Sequence, residues 1–447
     1  MSATNLSEVV GRSKFSKLHT SILLWCVIII LVDGYDITMF GTSLPRLMED
    51  WNLTAVQAGT IGSYGPLGML IGSLILGPLA DKFGRKSMII TCVILFSLFT
   101  LLCGLAPNPA VFAGFRFIAG LGMGGLMPNV LAYISEYAPK KLKGTLPTLV
   151  LIGVPVGNML AAGAGIVLIP EFGWRSIYIS GGVCLLLIPF LMKQLPESPR
   201  FLLARKKNDE LYNVLQKIDP SIKREEVDSL TIEKAKKQSI DVKGLFQEGR
   251  AFSTVMFWVA LFLTTVVTWG LNTWLAEFMV QAGYPLTSSL MFMMVYFGGA
   301  IVGTILGAWL AARIGLKMTT VSLYLVGAAT LMMLVLQPGA ILFYTLIFLA
   351  GIGTIGPQSA AFSFVTNYYP EKIRSTGVGI ALGFNKIGGF FGPIYGSMLV
   401  TLNLSLEGNF LAFAIPCVLT GVLLFMVRTK IHTKAENIPS QSSKASV

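Results

Sequence analysis

The sequence predicts an all-α membrane protein with twelve transmembrane helices in two six-helix halves. Three observations lead to this prediction. Of the 447 residues, 54% are hydrophobic and only 13% are charged, too few to cover the surface of a water-soluble protein of this length. Apolar runs of about 20 residues, long enough to cross a hydrocarbon core of ~30 Å, recur along the chain. The second half of the chain also repeats the first.

The apolar runs define twelve predicted spans, numbered 1 to 12 from the N-terminus. Strand-like alternation is absent from them, so helices are expected to satisfy the backbone hydrogen bonds in the membrane. No cleavable signal peptide is expected, because the first run is long and lacks a small-residue cleavage site. The predicted spans are 20–45, 57–80, 87–106, 110–138, 145–169, 176–195, 252–280, 287–312, 319–337, 340–368, 376–402 and 408–428.

One long polar segment separates the first six spans from the last six. It carries mixed charges at spacings typical of short amphipathic helices. We therefore divide the chain into an N-terminal tail, a six-helix half, a linker, a second six-helix half and a C-terminal tail. Their expected boundaries are 1–19, 20–195, 196–250, 251–428 and 429–447.

The two halves align at a constant offset of 231 residues. IGSLILGPLADKFGRK (71–86) falls on VGTILGAWLAARIGLK (302–317), and AGLGMGG (119–125) falls on AGIGTIG (350–356). A six-helix repeat of this kind is typical of transporters that rock two halves around a site between them. The glycine run GLGMGG lies inside span 4 with no strand before it, so it predicts a close-packing helix face and not a nucleotide site.

Positive charges predict the orientation of the chain in the membrane. All but four of the 34 lysines and arginines fall on one side when both termini are cytoplasmic. The four are Arg46 and Arg175 on the other side, and Arg116 and Lys386 within spans. We therefore expect a multi-pass plasma-membrane protein, monomeric in the lipid bilayer, with both termini in the cytoplasm. The net charge of +12 follows from this topology and does not indicate a nucleic-acid partner.

Cysteine and histidine usage indicates neither a disulfide framework nor a metal site. The five cysteines all fall within predicted spans, and the two histidines, His19 and His432, lie near the two ends of the chain. No nucleophile and base pattern is apparent either, so neither an enzyme nor a cofactor is expected.

Span 1 contains two acidic residues in the stretch VDGYDITMF (32–40). Each of Asp33 and Asp36 costs about 2.5–3.5 kcal/mol at such a depth, and their spacing places them on one helix face. Two carboxylates this close in a low dielectric repel, which favours a proton on one of them. The alternative is a structural ion pair with Arg116 and Lys386, which explains one aspartate better than two.

Arg116 in span 4 is the expected partner of Asp36. Asp36 lies about nine residues before Pro45, and Arg116 lies about nine residues after Pro107. At 1.5 Å per residue, both are ~13 Å below the same surface, so they meet if spans 1 and 4 are neighbours. The alternative is that Arg116 binds backbone carbonyl groups.

Lys386 lies about ten residues into span 11, in GFNKIGGFFGPIYG (383–396). A lysine at that depth is a functional residue by default, and it either holds a substrate carboxylate or balances an aspartate. Further candidates for lining a binding cavity are Tyr35, Trp269, Asn272, Asn385 and Gln358. Packing alone also explains each aromatic residue taken individually.

The loop after span 2, GPLADKFGRK (77–86), combines glycines with charges at helix ends. These charges can form a network at the helix ends, and ordinary positive-inside charge is the less favoured alternative. The second copy has Ala312 where the first has Asp81. Near the end of span 4, Glu136 is equally a candidate gate and a candidate proton site.

These motifs resemble the aromatic acid:proton symporter family of the major facilitator superfamily. The resemblance rests on DGYD in span 1, on the loop after span 2, on Arg116 and on the cationic span 11. It implies uptake of benzoate, 4-hydroxybenzoate, protocatechuate or a similar acid together with protons. It also implies that the loop gates the two halves through Gly77, Asp81, Gly84, Arg85 and Lys86.

One departure from the family pattern concerns the substrate. The family usually has arginine at the position of Lys386, and lysine lacks the bidentate fork that matches a carboxylate. Another monocarboxylate, such as nicotinate or a sugar acid, therefore remains an alternative substrate. A homologue that senses its ligand without transporting it is a further alternative.

Overall fold

The computed structural model describes residues 5–231, 241–336 and 339–428. Within these ranges the chain is helical, and extended pairing is limited to one bridge between Asn5 and Thr231. The predicted C-terminal tail 429–447, with His432, lies outside the described residues, as do positions 232–240 of the predicted linker.

Eleven helices in the described ranges are long and apolar enough to cross a membrane. They correspond to spans 1–10 and 12: Lys17–Trp51, Ala55–Phe83, Arg85–Gly104, Pro109–Tyr137, Thr145–Phe172, Arg175–Gln194, Ala251–Gln281, Leu286–Ile314, Leu316–Leu336, Ala340–Tyr368 and Leu406–Met426. Span 11 is the 31-residue helix Glu371–Thr401, which has the required length but is less apolar because of its glycines and polar residues. The predicted all-α class with two halves is confirmed.

Several helices extend beyond the bundle or are interrupted within it. Span 1 is 35 residues long, about 52 Å at 1.5 Å per residue, and therefore projects from a ~30 Å hydrocarbon core. Span 6 contains the 3-10 turn Gly182–Leu187, and span 10 is broken between Thr354 and Gln358. Short helices outside the bundle are Leu6–Arg12, Pro199–Ala204, Asn208–Ile218 and Arg224–Asp228.

The first part of the linker packs onto the first half of the molecule. The helix Asn208–Ile218 buries Leu211, Val214, Leu215 and Ile218, the spacing of an amphipathic helix as the sequence predicts. These residues share one apolar cluster with Leu6, Val10 and side chains of spans 1, 3 and 4. We call the end of the bundle that carries this segment the linker end, and the opposite end the far end.

The internal repeat is visible in the backbone at the ends of spans 2 and 8. Gly84 has φ +97° and Gly315 has φ +82°, and each ends its helix at equivalent positions of the repeat. Residues other than glycine rarely adopt this backbone conformation, so both copies of the repeat need glycine at this position.

Spans 2 and 4 pack backbone against backbone through the glycine run of span 4. A Cβ atom built on Gly120 would lie 2.3 Å from the carbonyl oxygen of Gly65. One built on Gly124 would lie 2.1 Å from that of Met69. The predicted close-packing face is therefore present, and it holds span 4 near the helices that flank it.

The two halves contact each other near the far end through three pairs of spans. Span 1 contacts span 7, where a Cβ atom built on Gly41 would lie 1.9 Å from the carbonyl oxygen of Asn272. Span 2 contacts span 11, where one built on Gly59 would lie 2.5 Å from the Cβ of Ser397. Span 5 contacts span 8 through Gly165. These contacts close the far end.

The same face of span 11 is open toward the linker end. Pro393 and Ser397, which contact span 2, lie on the helix face that continues through Lys386 to Gly383 and Gly379. Cβ atoms built on Gly379 and Gly383 would meet no described atom within 4 Å. The halves therefore diverge toward the linker end, and the space between them opens there.

Candidate functional site

Asp36 and Arg116 form a buried ion pair between spans 1 and 4. Arg116 Nη1 donates to Asp36 Oδ1 at 2.8 Å, and the side chains of Arg116 and Asp36 are 3% and 1% exposed. Thr100 in span 3 donates a second hydrogen bond to the Asp36 carboxylate. The pairing predicted from depth along the spans is therefore present. It places a compensated charge pair inside the first half, away from lipid.

Two neighbours explain how the guanidinium group of Arg116 fits inside the first half. A Cβ atom built on Gly65 would lie 3.2 Å from Arg116 Nη2, a tight contact, so glycine in span 2 gives the group more room than a larger residue would. The guanidinium carbon lies 5.8 Å from the centre of the Phe40 ring, within the range of a cation–π interaction. Arg116 is therefore held in position by contacts from several directions.

Asp33 lies one turn before Asp36, and its environment differs. Its side chain is 1% exposed, and its Oδ1 atom has no hydrogen-bond partner among the described residues. None of the ion pairs within 4 Å in the described ranges includes Asp33. A buried carboxylate without these contacts is costly when ionised and is a candidate for reversible protonation.

Lys386 lies opposite Asp33, in the other half and at the same depth. Phe40 of span 1 and Pro393 of span 11 both lie against Gly62, where a built Cβ atom would be 2.6 Å and 3.2 Å from them. Asp33 and Lys386 each lie seven residues, or two helical turns, before these contacts. Both are therefore ~10 Å nearer the linker end on helices that line the space between the halves, where a carboxylate and an ammonium group attract each other.

The structure brings Trp269 and Asn385 close to Lys386. A Cβ atom built on Gly389, one turn after Lys386, would lie 3.3 Å from Trp269 Nε1. The amide group of Asn385 donates to the hydroxyl of Thr265 in span 7. Span 7 thus contacts span 11 on both sides of Lys386 along the helix, at Asn385 and at Gly389.

The structure places the other predicted binding residues elsewhere. Asn272 joins the halves near the far end, where its side chain accepts from Thr38 at 3.0 Å and donates to the carbonyl of Ile37 at 3.3 Å. The hydroxyl of Tyr35 lies 2.8 Å from that of Ser180, within the first half. Gln358 begins the second segment of span 10 and is partly buried.

Three contacting hydroxyl groups were missed by sequence reasoning. They belong to Thr100, Ser180 and Thr265, which bind Asp36, Tyr35 and Asn385 respectively. A single threonine or serine in an apolar helix carries no spacing signal, because it also bonds to its own backbone four residues earlier. Only the arrangement of the helices identifies these residues.

The predicted gating residues form a polar network at the linker end. Arg85 contacts Asp81 at 2.9 Å, Glu136 at 3.3 Å and the amide oxygen of Asn129 at 3.2 Å. The hydroxyl of Ser198, in the linker, donates to Glu136. The network thus joins spans 2, 3 and 4 to the linker, all within or against the first half.

The backbone turn at Gly84 completes this network. A Cβ atom built on Gly84 would lie 2.5 Å from the carboxylate of Glu197. That carboxylate accepts from the backbone N–H of Lys86 at 3.0 Å and from that of Ser198 at 2.9 Å. Lys86 Nζ donates to the carbonyl of Met192 at 2.7 Å, so the loop is tied to the end of span 6. Gly77 lies on span 2 beside Pro128.

The fold and this site define a membrane transporter with two halves and a charged centre between them. The chain belongs to the Major Facilitator Superfamily, whose family model matches residues 26–392 and 295–446. It is 40% identical to the benzoate transport protein of Acinetobacter baylyi, over 97% of this chain and 95% of that protein. It is 34% identical to the gentisate transporter of Corynebacterium glutamicum, over 88% of this chain and 84% of that protein.

The fold is similar to that of a solved sugar transporter. The xylose transporter XylE from E. coli, in its inward open conformation, superimposes with a TM-score of 0.73. The match covers 94% of this chain and 98% of XylE at 17% sequence identity, so it is a similarity of fold alone.

Proposed function

We propose that the protein takes up a small aromatic carboxylate, such as benzoate, 4-hydroxybenzoate or protocatechuate, together with protons by alternating access. The observation that carries this proposal is the facing arrangement of Lys386 and of Asp33, a buried carboxyl group whose Oδ1 atom has no hydrogen-bond partner among the described residues. A cation there attracts an anion, and a carboxyl group there accepts a proton.

The substrate class is supported by the names of the relatives. Benzoate and gentisate, which the two proteins above transport, both combine a benzene ring with one carboxylate. In this chain, Lys386 provides the charge for a carboxylate and Trp269 provides an aromatic surface beside it. The proposed binding set also includes Asn385 and Gln358. Tyr35 and Asn272 join it only after the two halves have rearranged.

The proposed transport cycle uses the two ends of the bundle in turn. The structure is closed at the far end and open at the linker end. We place the linker end and both termini in the cytoplasm of a cell whose plasma membrane holds the protein, so this state releases substrate inward. Asp33 and Asp36 carry protons, and Arg116 positions Asp36.

The linker-end network is the proposed inner gate. Arg85, Asp81, Gly84 and Lys86 are held in the first half when this end is open. When the halves approach, the exposed carboxylate of Asp81 becomes available to the second half. We assign Glu136 to this gate, because it is bonded to Arg85 and Ser198 at the linker end. Transport requires one copy of the chain in a lipid bilayer.

Proteoliposomes test the proposal directly. Labelled benzoate or 4-hydroxybenzoate should accumulate when the outer solution is more acidic than the interior. Protein-free vesicles and a Lys386→Gln variant are needed as controls, because the neutral acids also cross lipid passively. Accumulation no greater than in these controls would overturn the proposal. Saturable binding without accumulation would indicate a ligand sensor instead.

Lysine in place of the usual arginine at position 386 favours one second candidate, a different monocarboxylate. A competition assay against labelled benzoate separates the two. Unlabelled aromatic acids should compete at lower concentrations than nicotinate or a sugar acid if the proposed substrate class is right.

A further inference from the structure

We infer that Asp33 and the carboxylate of the substrate compete for Lys386, so that each anion binds together with one proton. This inference rests on the proposed function, because it takes an anionic substrate as given. It assigns the exchangeable proton to Asp33 rather than to Asp36, and it gives Lys386 two alternating partners.

The contacts of the two aspartates separate their roles. Asp36 has a hydrogen-bonded ion pair with Arg116 at 2.8 Å and a hydroxyl donor, so its charge is compensated within the first half. Asp33 is equally buried, but its Oδ1 atom has no hydrogen-bond partner among the described residues. Its compensating charge is Lys386, which belongs to the other half. Movement of the halves therefore changes the environment of Asp33 and leaves that of Asp36 largely intact.

The other groups around Asp33 do not replace Lys386. The titratable groups that interact with it are Asp36, the thiol of Cys92 in span 3 and Lys386. Gly34, which follows Asp33 in the sequence, packs against span 5. The side chain that span 5 places at this contact is the uncharged amide of Asn158. Lys386 is the one cation in this set, so its engagement by another anion leaves Asp33 uncompensated.

Charge balance then requires a proton. Without substrate, two carboxylates face two cations, Arg116 and Lys386, and the centre is neutral. A substrate carboxylate that binds Lys386 adds one negative charge in a medium where an unpaired charge costs several kcal/mol. Asp33 restores neutrality when it binds one proton from water, which forms an O–H bond on its carboxyl group. The loaded centre has the same net charge as the empty one, and both states can reorient.

Proton counting during substrate binding is the first test. Calorimetric titration of the purified protein with benzoate, in buffers of different ionisation enthalpy, gives the number of protons bound per benzoate. We expect about one for the wild type, in buffer alkaline enough for Asp33 to be ionised before benzoate binds, and about none for Asp33→Asn, with benzoate still bound. Glu277→Gln is the matched control, because it neutralises another buried carboxylate, in span 7, whose side chain is bonded to Gln281. Its proton number should equal that of the wild type.

Transport assays provide a second test if Asp33→Asn is poorly stable in detergent. In proteoliposomes, Asp33→Asn should still exchange internal for external benzoate, because exchange needs only the loaded form of the centre, which is neutral in the variant. It should lose accumulation driven by a pH gradient. The wild type should show no accumulation above the passive controls when a potassium diffusion potential is imposed without a pH gradient, because one anion and one proton carry no net charge.

The outcomes separate this inference from the proposed function. If the wild type accumulates benzoate but Asp33→Asn still takes up one proton, or if a membrane potential alone drives accumulation, the inference is wrong and the function stands. If the wild type neither binds nor accumulates any aromatic acid, the proposed function is wrong and the inference falls with it.

Discussion

The two halves of the molecule place different chemistry at equivalent positions of the same fold. The offset of 231 residues carries Asp36 to Val267 and Arg116 to Ile347. In the first half these positions hold a buried ion pair, and in the second half both side chains are apolar and at most 1% exposed. The same helical fold therefore accommodates either a buried ion pair or two apolar side chains at these positions. The packing of these helices does not in itself call for an ion pair, which agrees with the role in proton coupling that we propose for Asp36 and Arg116.

The difference continues at the other charged positions. Lys386, the cation of span 11, corresponds to Pro155 in span 5. Arg85 in the linker-end network corresponds to Leu316, while the neighbouring Lys317 donates to the carbonyl of Val427 at the end of span 12 and lies over the ring of Phe425. The first half thus holds Asp33, Asp36 and the linker-end network, and the second half contributes Lys386 on the side that faces Asp33.

Replacing residues of the ion pair by the apolar residues at the equivalent positions of the second half should have the largest effect on stability. Arg116→Ile leaves the Asp36 carboxylate buried without its partner, and we expect a loss of about 3–5 kcal/mol in stability. The double variant Asp36→Val with Arg116→Ile copies the second half and should recover most of that stability, but not transport. Thermal unfolding in detergent measures the first effect. A double variant no more stable than Arg116→Ile would contradict the comparison between the halves.

Removing the cation of the second half should chiefly affect binding. Lys386→Gln keeps a polar side chain but loses a charged contact worth about 1.5–3 kcal/mol, roughly a 10- to 150-fold weaker affinity for benzoate. Lys386→Arg keeps the charge and should retain binding. Calorimetry on the two variants measures the difference. Equal affinity in Lys386→Gln and the wild type would place the carboxylate elsewhere.

The two repeat-related glycines offer a matched comparison of the loops. Alanine at either Gly84 or Gly315 forces a side chain into a backbone region that costs about 1–3 kcal/mol. A Cβ atom at position 84 also meets Glu197 at 2.5 Å, whereas at position 315 it meets no described atom within 4 Å. Gly84→Ala should therefore lower the unfolding temperature further than Gly315→Ala and slow transport. Equal effects of the two substitutions on both measurements would argue against a special role of the first loop.

The smallest effect is expected at Thr100, which corresponds to the apolar Leu331 in the second half. Thr100→Val removes one hydrogen bond to Asp36 and keeps the ion pair with Arg116, so we expect a loss of about 1 kcal/mol. Unfolding temperature and benzoate affinity of the variant measure this loss. A loss as large as that of Arg116→Ile would show that the hydroxyl, and not the guanidinium group, holds Asp36.

The sequence predicted the parts of the molecule that follow from periodicity and depth. The apolar runs predicted the spans, and the constant offset predicted the two halves. The depth of each residue, calculated from the helical rise, predicted that Asp36 pairs with Arg116. It did not predict the hydroxyl partners, because threonine and serine in a helix have no distinctive spacing. It also did not predict which end is closed. Which end is closed depends on contacts between the halves, such as that of Gly41 with Asn272. The same sequence can form these contacts in one state of the transport cycle and lose them in the other.

The contact at Gly41 has a practical consequence. Gly41 and Asn272 are equivalent positions of the repeat. The backbone of Asn272 lies so close to Gly41 that position 41 has no room for a side chain. A tryptophan at position 41 would act as a wedge that holds spans 1 and 7 apart, while the first half keeps its internal packing. Gly41→Trp should therefore trap the protein with its far end open. Such a trapped form would allow binding of the substrate to be measured from that side alone and would help crystallisation of the opposite state.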